Sequence, residues 1–101
     1  MWGLQTKQFE AICAVLGGFP EVEEVRIFGS RAMGRYHSGS DVDLTLLGEI
    51  NAAMLNRISE QLDELLLPYT FDLSIFYDID NSELRDHILR KGQTFFRRQP
   101  D

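Results

Sequence analysis

The sequence predicts an α/β (α+β) fold in which a small mixed β-sheet is covered by helices. Three observations carry this expectation. Runs of helical and strand character follow one another as helix, strand, strand, helix, strand, helix; the links between them are too short for a second domain; and a helix stands between the second and third strands, where a parallel crossover needs one. The link between the first two strands holds no long helix, so those strands can pair antiparallel. At 101 residues the expectation is one domain, residues 1–101, with a single core.

Each element has a local reason. Phe9, Ile12, Cys13 and Leu16 recur at helical spacing and Gly17-Gly18 with Pro20 ends the run, which predicts a first helix over residues 4–16. "VRIF", residues 25–28, is β-branched and aromatic and runs into Gly29, as a buried strand does on reaching a turn. "DVDLTLL", residues 41–47, reads as the second strand. Met54, Ile58, Leu62 and Leu65 mark one face of a helix over residues 51–66, which Pro68 prevents from continuing. "FDLSIFY", residues 71–77, is a third strand. A last helix spans residues 82–91 with Leu84, Ile88 and Leu89 inward and Gly92 closing it, and "TFFRR" adds a short strand or packs two aromatics.

Composition narrows the function. With 44% hydrophobic and 26% charged residues the chain has the make-up of a folded soluble protein. Sixteen acidic against ten basic side chains give a formal net charge of -6, which repels a phosphate backbone and argues against nonspecific nucleic-acid binding. One cysteine, Cys13, excludes an intramolecular disulfide, and its place in an apolar helical stripe predicts an inert, buried thiol in a cytoplasmic protein. No apolar run approaches the ~20 residues that a bilayer requires.

The chemistry concentrates in "IFGSRAMGRYHSGSDVDL", residues 27–44. Strand side chains alternate faces, so Asp41, Asp43 and Thr45 share one face while Val42, Leu44 and Leu46 take the other. In the third strand Phe71, Leu73 and Ile75 share a face and Asp72 lies opposite. If strands two and three are neighbours, three carboxylates converge. Such a cluster is unfavourable alone, and hard oxygen ligands without histidine or cysteine select Mg2+, with Mn2+ as the substitute, over zinc. Gly29-Ser30 ends the first strand and opens a short turn through "RAMG", whose free amides suit an anion.

In these residues the chain resembles the nucleotidyltransferases of the DNA polymerase β superfamily, specifically their smallest members, the minimal nucleotidyltransferases. The motif is Gly-Ser, ten residues, then Asp-x-Asp, and ten residues, Arg31 to Ser40, separate Ser30 from Asp41 here. The apolar lead-in "VRIF", the wording "SDVDL", a third acid in "FDLSIF" and the closing "ILRKG" extend the resemblance over most of the chain. It implies the polymerase β-like palm fold, Asp41 and Asp43 on two Mg2+ ions, and Asp72 on the catalytic ion beside the attacking hydroxyl. Gly29, Ser30 and Arg31 then hold the triphosphate, ATP being the expected donor. Where the family often carries a basic residue after "GSRA", this sequence has Met33, which leaves Arg31 or Arg35 to steady phosphate and implies reduced turnover.

The resemblance further implies a toxin-antitoxin system, with AMP transferred to a HEPN-domain protein that supplies the acceptor, and homo- or hetero-oligomers. The alternatives are a non-catalytic antitoxin that neutralises by contact, and transfer to a small hydroxylated molecule such as an aminoglycoside. Several other features read as structural. Asp78 and Asp80 form a second Asp-x-Asp, but Asp80 stands three residues before Glu83 as a capping box for the last helix. His37 and His87 read as surface residues, Phe95 and Phe96 as packing, and Arg90, Lys91, Arg97 and Arg98 as a solvated face.

Overall fold

The computed structural model describes residues 1–99, so the last two residues of the expected domain lie outside it. Its elements run α1 (Thr6–Gly17), β1 (Val22–Phe28), β2 (Val42–Gly48), α2 (Ala52–Glu64), β3 (Phe71–Ile75), a 3-10 turn (Phe76–Asp78), α3 (Ser82–Lys91) and β4 (Gln93–Arg97). The sheet order is β3-β2-β1-β4. β1 lies antiparallel to both β2 and β4, and β2 lies parallel to β3 with α2 as the crossover. The mixed sheet expected from the connection lengths is therefore present, and "TFFRR" supplies its fourth strand.

One face of the sheet carries the main core. Val25 and Ile27 of β1 and Val42, Leu44 and Leu46 of β2 are fully buried with Ile12 and Leu16 of α1 and Ile58 of α2. Phe95 of β4 joins them, stacked on Trp2 at 5.3 Å and edge-on to Phe9 at 4.9 Å, so this aromatic is packing, as expected. Cys13 borders the same cluster, where burial pushes its thiol up to about 11. The opposite face holds Arg26, Thr45 and Ser74 in one cross-strand row, under α3 and the 3-10 turn, which pack on β1 and β2.

Helix starts show where sequence reading erred. Asn51 Oδ1 accepts from Met54 N at 2.9 Å and opens α2 one residue inside the expected start. At α3 the cap is Asn81, not Asp80: Asn81 Oδ1 accepts from Glu83 N at 2.9 Å and Leu84 N at 3.1 Å. The helix begins one residue later than a capping box on Asp80 requires, and a neutral amide does the work assigned to the carboxylate. Leu89, expected inward, is 56% exposed, because Ile88 alone of that pair meets the sheet. Arg98 is also misplaced by composition alone. Its guanidinium donates to the carbonyls of Val22, Gly17 and Phe19 at 3.0, 3.2 and 2.9 Å, tying the chain after β4 to the α1–β1 link.

Candidate active site

The three acids lie near the end of β1 and the starts of β2 and β3, on the face of the sheet opposite the main core. The parallel register sets Asp43 directly opposite Asp72, and the antiparallel register sets Phe28, the last residue of β1, opposite Asp43. Asp41 precedes β2 by one residue and is exposed, as is Asp72, whereas Asp43 is half-buried. The local cause is strand alternation: every second residue of "DVD" faces the same way, and Val42 between the two acids is buried in the core.

Electrostatics mark Asp43 as the centre of this group. Burial, then the charge of Asp72, then that of Asp41, and finally a hydrogen bond shared with Asp72 push its carboxyl from 3.8 up to about 6. Among the described residues no three His, Cys, Asp or Glu side chains are already gathered tightly enough to enclose a metal ion.

β1 hands over to the motif loop at Gly29, whose φ of +77° favours glycine. A second constraint coincides there, since a Cβ on Gly29 would overlap Asp43 Oδ2. The backbone of the Gly-Ser turn thus abuts the central carboxylate. The next residues make one helical turn, with Met33 N donating to Gly29 O at 3.1 Å. It closes as a Schellman motif: Arg35 N donates to Ser30 O at 2.9 Å and Gly34 N to Arg31 O at 3.4 Å, with Gly34 at φ +73°. The amides of Ser30, Arg31 and Ala32 open that turn and donate to no backbone acceptor among the described residues.

Arg31 explains the ten-residue spacing in physical terms. Its Nε and Nη2 both donate to the carbonyl of Ser40, at 3.1 and 2.9 Å, and Nη1 donates to Trp2 O at 2.9 Å. The side chain is 2% exposed and lies over the rings of Tyr36 and Tyr69 at 5.3 and 5.1 Å. The first residue of the ten therefore clamps the last, which fixes Asp41 and the start of β2 relative to the Gly-Ser turn. In the structure the Arg31 guanidinium is engaged with the carbonyls of Ser40 and Trp2. The two tyrosines, 5 and 38 residues downstream, were the available signal. Met33 and Arg35 are exposed. His37 is also exposed, and its Nδ1 accepts from Gly39 N at 3.1 Å, which shapes the loop tip.

Residues 10–101 match the family described as "Polymerase beta, Nucleotidyltransferase". No curated protein sequence matches the chain. A toxin-antitoxin complex solved with AMP-PNP has a similar fold, with a TM-score of 0.73 and 20% identity over 90% of this chain and 74% of that one. So does the complex of a tri-AMPylated Shewanella oneidensis HEPN toxin with its MNT antitoxin, at 0.67 and 17% over 91% and 71% of the two chains. The toxin-antitoxin MntA-HepT gives 0.65 and 17% over 90% and 71%. At such identities the likeness is one of fold. No helix among the described residues is long and apolar enough to cross a membrane. The family match spans nearly the whole sequence and includes the Gly-Ser turn and all three acids, and the chain belongs to the polymerase β nucleotidyltransferase family.

Proposed function

We propose that this nucleotidyltransferase moves AMP from ATP to a hydroxyl on a HEPN-domain protein and thereby acts as that protein's antitoxin. The observation that carries the reading is the register of Asp43 against Asp72, with Asp41 on the same face and the Gly29 backbone against Asp43. The similar complexes support the choice of donor and acceptor: one was solved with AMP-PNP, and another contains a tri-AMPylated HEPN toxin.

The donor set fits hard divalent cations, being carboxylate oxygen alone with no imidazole or thiolate in the cluster. Asp41 and Asp43 would hold two Mg2+ ions, or Mn2+ in their place, and Asp72 would hold one of them. When bound, such ions supply the positive charge that a triphosphate and a departing pyrophosphate need.

The chain's own residues do the rest by placement. The acceptor oxygen forms a bond to the α-phosphorus, the bond from that phosphorus to the bridging oxygen of the β-phosphate breaks, and pyrophosphate leaves. The hydroxyl proton passes to Asp72, the outermost and most solvated of the paired acids, and from there to water. Gly29 lets the triphosphate approach the backbone, and the amides and hydroxyl at Ser30 donate to it. Arg31 holds the loop that carries these groups, and exposed Arg35 takes the place of a cation at Met33.

Incubation with α-labelled ATP, Mg2+ and a candidate HEPN-domain partner tests this directly. Label on that protein supports the proposal. Tight binding without label would instead mean neutralisation by contact, and label only on an added aminoglycoside would mean a small-molecule acceptor.

A further inference from the structure

Directly behind the acid pair, the same face of the sheet carries a second cross-strand row. Ser74 of β3 stands opposite Thr45 of β2, and Thr45 stands opposite Arg26 of β1. Each is two residues along its strand from the row that holds Asp72, Asp43 and Phe28, so both rows face the same side. The second row is partly covered: Thr45 is fully buried and Arg26 and Ser74 are half-buried, the 3-10 turn packs on β2, and α3 packs on β1. Arg26 is held at its tip, donating to Glu24 Oε2 at 3.1 Å and to Gly92 O at 2.8 Å. Thr45 Oγ1 has only a marginal bond to Ser74 O at 3.5 Å. Ser74 Oγ is buried with no hydrogen-bond partner.

A buried hydroxyl without a partner is destabilising, and an alanine or valine would fill the position better if packing were its only duty. Ser74 is also the one member of the row on the strand of Asp72, about 7 Å away between Cα atoms. That separation lets a carboxylate leaning along the strand accept from the hydroxyl.

Resting on the proposed transferase reading, we infer that Ser74 is a positioning residue for Asp72. Its hydroxyl donates to one carboxylate oxygen of Asp72 when the acids take up divalent cation, which leaves the other oxygen for the ion and the acceptor. In the cation-free chain the Ser74 hydroxyl is left unpaired.

The test compares wild type, Ser74→Ala and Ser74→Thr in thermal melting and in Mn2+ binding by calorimetry. In EDTA, Ser74→Ala melts higher, by roughly 4 °C or more, because an unpaired buried donor is gone. Its Mn2+ affinity and the Mg2+ concentration for half-maximal transfer each worsen about 10-fold, the usual scale for a lost partner of a metal-binding side chain. Ser74→Thr, which keeps the hydroxyl, restores both metal readouts. Higher melting with unchanged Mn2+ binding would overturn the inference and leave Ser74 a packing defect. Lower melting in EDTA would overturn it too, by showing a structural partner. A wild type that binds no Mn2+ would bring down the acidic-site reading itself, and this inference with it.

Discussion

Replacing Asp43 with asparagine removes a repelling charge while nearly keeping the shape, so folding and catalysis are expected to respond in opposite directions. The folded chain holds the Asp43 proton up to about pH 6, against 3.8 ordinarily. Between those values the folded state keeps a proton that the unfolded state has lost, so stability falls as pH rises through that window and stays low above it. The displacement of about 2 pKa units corresponds to about 3 kcal/mol at 1.36 kcal/mol per unit. Because Asp43 is only half-buried, solvent screening reduces this to about 1 kcal/mol. An amide at this position carries no such penalty. In EDTA at pH 7.5, Asp43→Asn should therefore melt about 4 to 8 °C above wild type, and at pH 4 the two should nearly coincide. Added Mg2+ should raise the wild-type midpoint and leave the mutant's in place, while transfer by the mutant falls by orders of magnitude. Thermal melts at the two pH values, with and without Mg2+, measure all of this. An Asp43→Asn chain that melts below wild type in EDTA at pH 7.5 would refute the reasoning, since Asp43 would then be a structural acid.

Four further substitutions separate catalytic from structural roles. Asp72→Ala should reduce transfer by orders of magnitude with little change in the denaturant midpoint, because the side chain is exposed and caps nothing; initial rates at saturating Mg2+ decide. Asp80→Ala should leave both rate and stability near wild type, whereas Asn81→Ala should cost about 1 kcal/mol through the lost α3 cap, read in urea. Arg31→Lys should cost about 2 kcal/mol and also slow transfer, since one ammonium cannot bridge the Ser40 and Trp2 carbonyls that the guanidinium joins; wild-type stability in that variant would mean the clamp is idle.

The features visible in the sequence were those with a period or a fixed chemical spacing. Strand alternation placed Asp41 and Asp43 on one face, and the helix-sized gap before "FDLSIF" made β3 a parallel neighbour, which set Asp72 beside Asp43. What stayed hidden depends on long-range side-chain partners. Arg31 stands beside Gly29 and Ser30 in sequence, and its partners are Ser40, Trp2, Tyr36 and Tyr69. Arg98 looked solvated because nothing adjacent in sequence could accept from it, and its three acceptors lie about 80 residues earlier, a separation no local pattern encodes. Asp80 and Asn81 are both good caps, and a one-residue shift in the start of α3, which periodicity does not resolve, decided between them. Ser74 gave no signal, since an unpaired hydroxyl is recognisable only once its surroundings are known.

The most direct measurement of the central claim is the transfer reaction itself, followed by intact mass of the proposed HEPN-domain partner. With ATP and Mg2+ the wild type should add the mass of one AMP less water for each modified hydroxyl, release pyrophosphate in equal number and lose both products in the double variant Asp41→Asn, Asp43→Asn. Unchanged partner mass under conditions where the two proteins form a stable complex and the chain binds ATP would contradict it.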